Sequence, residues 1–476
     1  MLKSKRKWIL IGVCAILVLG GVVGYFWRYY QTRQWIASAL PSVPELASNQ
    51  MQYFREADDL ARKDVSGRAM GTLAQTYHAN GFFGEAARVY DALIQLQPRE
   101  AKWNYLLADI LSGYGQSDEA AALLKRTIEL DPNALAAHLR LGEVYQQSNQ
   151  PDEARKQFLK ALEIDRDNLH ARLGIARLEM DAENWSAAIT LLKELTRLRP
   201  DFGAAWALLE TAYTAIGAEE EAEQARFQNT QSVSFYDIVD PWKHGLLDYC
   251  YDPYRLRIAA STPRLDASVE ESVALLLKAI SLNPDDADIR RQLGNLLMHT
   301  QRFEAAEQHM KNAIIRDPEN PDGWAFLVNL YNEWGKPELA EKTTIDGLLK
   351  CPTSPALNLE WGRQLSKKGQ YREALQAFRT MNRLRPEESS GYIEIALIHF
   401  RLNQVEAGLE QLEKALQVEP GNAVAITSLA VHAIQSGDEN KASEWIAKAK
   451  AQPKVPRSDI SKLETLFENT FSHSVP

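Results

Sequence analysis

The sequence holds three cysteines and nine histidines, and none falls into a spacing that makes a reactive or metal site. His299 and His309 are ten apart with no third ligand near them in sequence, short of the three or four donors zinc takes. No HExxH, GxxxxGK[ST], GxSxG or strand-flanked GxGxxG occurs, which removes the usual metalloprotease, phosphate-loop, hydrolase and dinucleotide sites. Cys-x-x-Cys is absent too, and with it thioredoxin-like redox motifs, c-type haem attachment and Cys-paired zinc ribbons. Cys250 and Cys351 lie 101 apart and are the pair an oxidising compartment would have to join, because Cys14 falls in an apolar stretch. Adjacent acids such as Asp285-Asp286 follow Pro284 and read as a solvated turn or helix cap. The sequence points to no catalytic residue, no metal and no cofactor. Binding surfaces are the chemistry left to find.

One short stretch concentrates side chains of that kind. Trp242, Tyr249 and Tyr251 fall within the 16 residues 237–252. Such amphipathic aromatics anchor interfaces. They also pack junctions between structural blocks, which is the reading favoured here.

The 476 residues carry 54 Lys plus Arg against 63 Asp plus Glu, with 45% hydrophobic and 25% charged residues. That composition excludes collagen, mucin-like stalks and bulk disorder, and a net charge of −9 excludes a polybasic nucleic-acid binder. The charge is unevenly placed. Residues 8–27 run 20 positions with no charged side chain, and eleven of them are Ile, Leu, Val or Phe. Such a stretch matches a hydrocarbon core of about 30 Å and favours insertion by about 3–7 kcal/mol before glycine and polar losses. It predicts a single transmembrane helix at 8–27. A cleaved signal peptide, with Ala37-Ser38-Ala39 as its site, is the rival reading; those residues lie beyond Arg28 and Arg33, late for cleavage. Ser4-Lys5-Arg6 faintly resembles a twin-arginine signal. Lys3, Lys5, Arg6 and Lys7 before the span outnumber Arg28 and Arg33 after it. The bias places the N-terminus in the cytoplasm and the body outside it, most simply in the periplasm at a bacterial inner membrane. Without the four N-terminal cations the body has 50 basic against 63 acidic residues, a charge of −13, which argues further against nucleic acid or anionic lipid as partner. Gly20 and Gly24 form a GxxxG through which two anchors would make a weak homodimer.

The rest of the chain repeats. Prolines fall at Pro98, Pro132 and Pro200, then at Pro284, Pro318, Pro352, Pro386 and Pro420, with gaps of 34 or twice 34 within each run. Between them lie two stretches of helical apolar spacing joined by a turn with Gly or Asn. A fixed period of this length signals an all-α solenoid.

Matches recur in phase. One unit reads Leu141-Gly142, Tyr145, Ala154, Phe158 and Ala161; others read Leu293-Gly294, Ala306 and Ala313, or Trp324, Leu327, Tyr331, Gly335 and Ala340, or Trp361-Gly362, Gly369, Ala374 and Phe378, or Leu73-Ala74, Tyr77, Gly81, Ala86 and Tyr90. This pattern resembles the tetratricopeptide (TPR) repeat, W-x2-L-G-x2-Y, A-x3-F and P in 34 residues. The resemblance implies helical hairpins stacked into a right-handed superhelix whose first helices line a groove. Phase gives a cationic tip at 1–7, the span at 8–27, a juxtamembrane linker and capping helix at 28–66 and a first array of about five repeats at 67–236. The aromatic insertion follows at 237–252, then a second array of about six repeats, the first degenerate, at 253–456, and a capping helix and tail at 457–476. Asn49–Ala61 is expected to cap one end with Tyr53, Phe54, Ala57 and Leu60, and Ser458–Phe471 the other. No segment outside the anchor and repeats is long enough for a separate catalytic domain.

The resemblance also implies where a ligand would lie, at repeat positions 2, 5, 9, 12 and 13. In the second array these give Arg291, Asn295, Asn329, Asn332, Arg363 and Lys367, donors suited to a peptide carboxylate or backbone. Arg291 and Asn295 match the start of the carboxylate clamp of chaperone-binding members; Phe326, Ala356 and Glu360 leave that clamp incomplete. Further along, Ile393, Leu397, Phe400 and Val431 make an apolar groove, a partner site or a surface covered by the C-terminal helix. The expectation is a non-catalytic, membrane-anchored scaffold that holds proteins or peptides in its groove. The alternative is an assembly or maturation factor for an envelope complex, such as cytochrome or polysaccharide-export machinery.

Overall fold

A hairpin of two amphipathic helices cannot bury its apolar face alone, so within each of two units the repeat helices are laid out in pairs, each packed on the next. The computed structural model describes residues 27, 30, 31, 34, 40–44, 48–452 and 454–471. The apolar stretch 8–27, apart from an exposed Trp27, and the Gly20–Gly24 pair lie outside them. Among the described residues no helix is long and apolar enough to cross a membrane.

The chain divides into two compact units. The first holds residues to Ala222 and again Ser232–Ser268; the second holds Glu223–Gln231 and everything from Val269. The division follows Ser268, so the stretch 253–268 belongs with the first unit rather than opening the second.

In the first unit α1 (Ser48–Lys63) precedes the pairs α2 (Gly67–Ala79) and α3 (Phe83–Leu96), α4 (Ala101–Gly113) and α5 (Ser117–Leu130), α6 (Leu135–Gln147) and α7 (Pro151–Ile164), and α8 (Leu169–Asp181) and α9 (Trp185–Leu198), followed by α10 (Gly203–Ala215), which packs on α9; next in sequence comes α11 (Glu219–Thr230), most of which is assigned to the second unit. First helices thus begin 34 residues apart. A short helix α12 (Pro241–His244), a 3-10 turn (Gly245–Tyr249) and α13 (Pro253–Ser261) follow. In the second unit α14 (Val269–Leu282) precedes α15 (Ala287–His299) and α16 (Phe303–Arg316), α17 (Pro321–Glu333) and α18 (Pro337–Lys350), α19 (Pro355–Lys367) and α20 (Tyr371–Leu384), α21 (Ser390–Arg401) and α22 (Val405–Val418), α23 (Ala423–Gln435) and α24 (Glu439–Ala451), then α25 (Arg457–Phe471). Only two isolated bridges, Phe202 with Val233 and Asp237 with Arg264, interrupt the all-helical pattern among the described residues.

Small residues let the helices touch. Ala86, Ala120, Ala154 and Ala188 are fully buried at 34-residue intervals, as are Ala306, Ala340 and Ala374 in the second unit. The buried Phe158 ring packs on two glycines at once. A Cβ built at Gly142 would come within 2.6 Å of it and one at Gly174 within 2.5 Å. α1 caps its unit with Phe54, Ala57 and Ala61, whereas Leu60 points outward at 48% exposure, because the buried face runs i, i+3, i+7 and leaves position 60 off it. α25 buries Leu463 against α23 and α24.

Each first helix ends in one residue of left-handed backbone. In order these are Gly81, Gly115, Asn149, Glu183 and Gly217, then Gln301, Gly335, Gly369, Asn403 and Gly437, again 34 apart within each unit. Glycine takes this conformation freely, while Glu183 at φ +57° carries a Cβ penalty of about 1 kcal/mol. Glu183→Gly is therefore expected to raise stability by about 1 kcal/mol, and Gly115→Ala, where nothing lies within 4 Å of the added Cβ, to lower it by a similar amount. Urea unfolding followed by circular dichroism checks both signs.

Candidate functional site

The first helices of the first unit carry an occupant that belongs to the same chain. Residues 236–251 run across α2, α4 and α6, and Ile238, Asp240, Leu246 and Cys250 are buried there. The docking begins with backbone chemistry. Asp240 precedes Pro241 and caps α12, its Oδ1 accepting the Lys243 N–H at 3.0 Å. That cap fixes where Trp242 and Lys243 point. The Trp242 ring tilts onto Tyr105 of α4, centroids 5.2 Å apart, and Tyr105 donates its hydroxyl to Asp240. Lys243 Nζ donates to Asp109 Oδ1 at 2.9 Å. On the other side of that carboxylate His78 Nε2 lies 3.5 Å from Oδ2, and His78 Nδ1 meets the Tyr90 hydroxyl at 3.3 Å. Arg140 of α6, paired with Glu143 at 3.1 Å, also faces Asp237 at 3.9 Å.

The far end of the segment is held by Asn80, just past α2. Its Nδ2 donates to the Tyr249 carbonyl at 2.9 Å and its Oδ1 accepts the Tyr251 N–H at 2.7 Å. Tyr251 stacks flat on Tyr53 of α1, 4.0 Å between centroids. Trp242 and Tyr251 are thus spent on packing within the unit, and Tyr249 is half-buried beside them.

Two cavities remain on this face. One of about 420 Å³ lies between α4 and α6 and is lined by Tyr105, Asp109, Tyr114, Arg140 and Glu143. The other, about 670 Å³, is lined by Phe83, Lys243, Leu247, Tyr254, Ile258 and Arg264. Burial pushes the Asp109 carboxyl up, but the hydrogen bond from His78 and the Lys243 ammonium outweigh it and hold the group well below the ordinary carboxylate range. Burial raises the Tyr105 hydroxyl, with the Asp240 charge acting the same way, so Tyr105 stays a donor. His78, 5% exposed, is wedged between Tyr90 and Phe83. The cluster clamps a peptide segment: an aromatic stack, a carboxylate held by a phenol and a cation held by a carboxylate.

In the second unit the sequence-derived residues are scattered rather than gathered. Asn329, Asn332, Arg363 and Lys367 are exposed and Asn295 is half-buried. Asn332 donates to Glu360 at 2.9 Å and Arg363 to Glu394 at 2.7 Å. Arg291 departs from the expectation that it faces a ligand. It is 8% exposed, paired with Asp288 in its own helix and 3.6 Å from Asp317. Its aliphatic stem lies beside Gly323 of the next repeat, 3.9 Å from where a Cβ would stand. Among the apolar candidates Leu397 is 40% exposed, while Ile393, Phe400 and Val431 are half-buried. Val431 borders the core that α25 closes, so the C-terminal helix covers one end of the strip and leaves the other open. Cys250 and Cys351 are both buried. No cluster able to hold a metal ion occurs among the described residues, and His299 and His309 gather no further ligand.

The sequence reading passed over His78, Tyr105, Asp109 and Glu143. A signal for them existed: they stand at repeat positions 12, 5, 9 and 9 of the first array, the register applied only to the second. The Asp-Pro pair at 240–241 was the matching signal in the segment.

His78 holds the Asp109 carboxyl low whether or not the segment is docked, but Lys243 adds to this only on docking, so the ionised carboxylate favours docking and that contribution is lost as the pH falls below about 4 and the group protonates. Hydrogen-exchange protection of 238–251, corrected for intrinsic rate, is expected to drop on acidification through that range. Asp109→Asn should lower the protection at pH 7 and flatten its pH dependence.

Comparison with known proteins bears on the repeats. Two profiles described as tetratricopeptide repeat match residues 111–163, 157–213 and 268–330, and residues 72–111 and 359–423. Tetratricopeptide repeat protein 33 of Xenopus laevis is 23% identical over 226 residues, 47% of this chain and 83% of that protein. The crystal structure of yeast Tom70 aligns over 87% of this chain and 98% of its own at 15% identity and a TM-score of 0.39. That of PilW, a type IV pilus biogenesis factor, aligns over 40% and 87% at 18% identity and a TM-score of 0.36. With its paired helices at a 34-residue interval and profile matches across more than half its length, the chain belongs to the tetratricopeptide-repeat family.

Proposed function

We propose that the chain is a non-catalytic scaffold that binds other proteins on the first-helix face of its second unit, held at a membrane by residues 8–27 with its body outside the cytoplasm. One observation carries the choice of surface. The equivalent face of the first unit is filled by the chain's own residues 236–251, whereas α17, α19 and α21 leave Asn329, Arg363, Lys367 and Leu397 exposed. The uncharged run 8–27, with four cations before it, supports the anchor and its direction. A scaffold placed so would keep partners beside the membrane. Service as an assembly or maturation factor for an envelope complex is a special case, recognised by loss of one assembled product on deletion.

The double variant Asn329→Lys/Arg363→Glu in the full chain is expected to reduce crosslinked capture of partners from native membranes about tenfold, while Ile315→Ser on a second helix changes little. Equal capture by all three proteins removes this face from consideration. For topology, a C-terminal alkaline phosphatase fusion is expected to be active. Activity of a cytoplasm-only reporter at the same position would overturn the orientation.

A further inference from the structure

The larger cavity of the first unit, about 670 Å³, owes most of its walls to elements that stand outside the 34-residue repeat. The turn after α12 supplies Leu246 and Leu247, α13 supplies Tyr254, Arg255 and Ile258, and the first repeat adds Phe83. One fully buried side chain, Leu256, holds α13 in place. Tyr254 and Ile258 lie one turn apart on that helix and border the cavity at 62% and 45% exposure. An exposed aromatic and an exposed isoleucine beside a cavity are apolar surface left for an occupant.

The charged groups of the lining differ in how far they are satisfied. Lys243 is joined to Asp109, while Arg264 and His244 both face Asp266, at 3.2 and 3.8 Å. Asp237 accepts the Ile238 N–H, and Asp252 Oδ1 caps α13 by accepting the N–H groups of Tyr254 and Arg255. The Arg255 side chain is the exception. Its Nε stands 3.6 Å from Asp252 Oδ2, too far for a hydrogen bond, and its guanidinium makes no hydrogen bond among the described residues. Its place is nevertheless fixed. The guanidinium lies over the Phe83 ring, 5.7 Å from the centroid, and against Gly81, where an added Cβ would collide with it. At the equivalent Gly115 and Gly217 of the same unit nothing lies within 4 Å of an added Cβ.

We propose that this cavity binds a small anionic amphiphile, its head on the Arg255 guanidinium and its apolar body against Phe83, Leu247, Tyr254 and Ile258. The planar fork of an arginine takes a carboxylate or a phosphate head alike. The volume falls within the range of small-molecule sites, about 300–1,000 Å³. The site lies in the first unit and the partner face in the second, so neither reading rests on the other.

The test uses the full chain in phosphatidylcholine nanodiscs, with empty discs as the blank, and phenylbutyrate as the probe, read by ligand-observed NMR titration. Saturable binding with a Kd at or below about 1 mM is expected. Phenylbutyramide keeps the ring and loses the charge, and acetate keeps the charge and loses the ring; each should bind at least about tenfold more weakly. Arg255→Gln should bring phenylbutyrate down to the level of the amide, and Ile258→Ser should weaken both. Each of these changes an exposed side chain, and Arg126→Gln, at an exposed cation of α5, should alter nothing. Competition with phenylpropyl phosphate then tells the two heads apart: tighter binding than phenylbutyrate assigns a phosphate ligand, weaker binding a carboxylate. No saturable binding up to about 10 mM, equal binding of phenylbutyrate and its amide, or unchanged binding by Arg255→Gln overturns the proposal.

Discussion

The structure depends on one constraint: each helical hairpin must bury its apolar face on the next. That requires backbones close enough for side chains such as Phe158 and Phe378 to fill the remaining gap, and it explains the fully buried alanines at 34-residue intervals. The same constraint fixes the turn. A first helix must stop at the same point in every unit, and it does so through a single left-handed residue, glycine in six places and Asn, Glu or Gln in four. It also requires ends. α1 and α25 each offer one apolar face and present polar residues outward, as terminal caps of stacked repeats must.

Stacking consumes the second helices and one side of the first helices, which leaves the other side of the first helices as the surface on which function can be written. The two units use it differently. In the first it is a clamp with its own peptide in place: Trp242 against Tyr105, Asp240 under its hydroxyl, and Lys243 joined to Asp109 beside His78. Taking these polar groups out of water is tolerable because each has a partner. In the second unit the same surface carries an amide and cation array at Asn329, Asn332 and Lys367 that gives way to the apolar strip at Leu397.

The repeat was legible in the sequence because proline, glycine and alanine are punctuation forced by backbone geometry, and their spacing survives even where the apolar residues vary. The insertion was legible as a block, and its aromatics as packing residues. Its destination was not, since no periodicity ties Lys243 to Asp109, 134 positions earlier. Arg291 shows the opposite limit. Its register position pointed to the groove, yet a long stem can lie down against the next repeat, and no spacing in the sequence says that Asp288 and Asp317 claim its charge. Leu60 departed from its expected face for a simpler reason, a one-residue error in the phase of α1.

The central claim is that partners meet the first-helix face of the second unit and not that of the first. Site-specific photo-crosslinking from single positions in living cells tests it most directly. A benzoylphenylalanine at position 397 is expected to give a discrete crosslinked product, and one at position 112, beside the self-occupied face, none above background. Products from position 112 with none from position 397 would contradict the account.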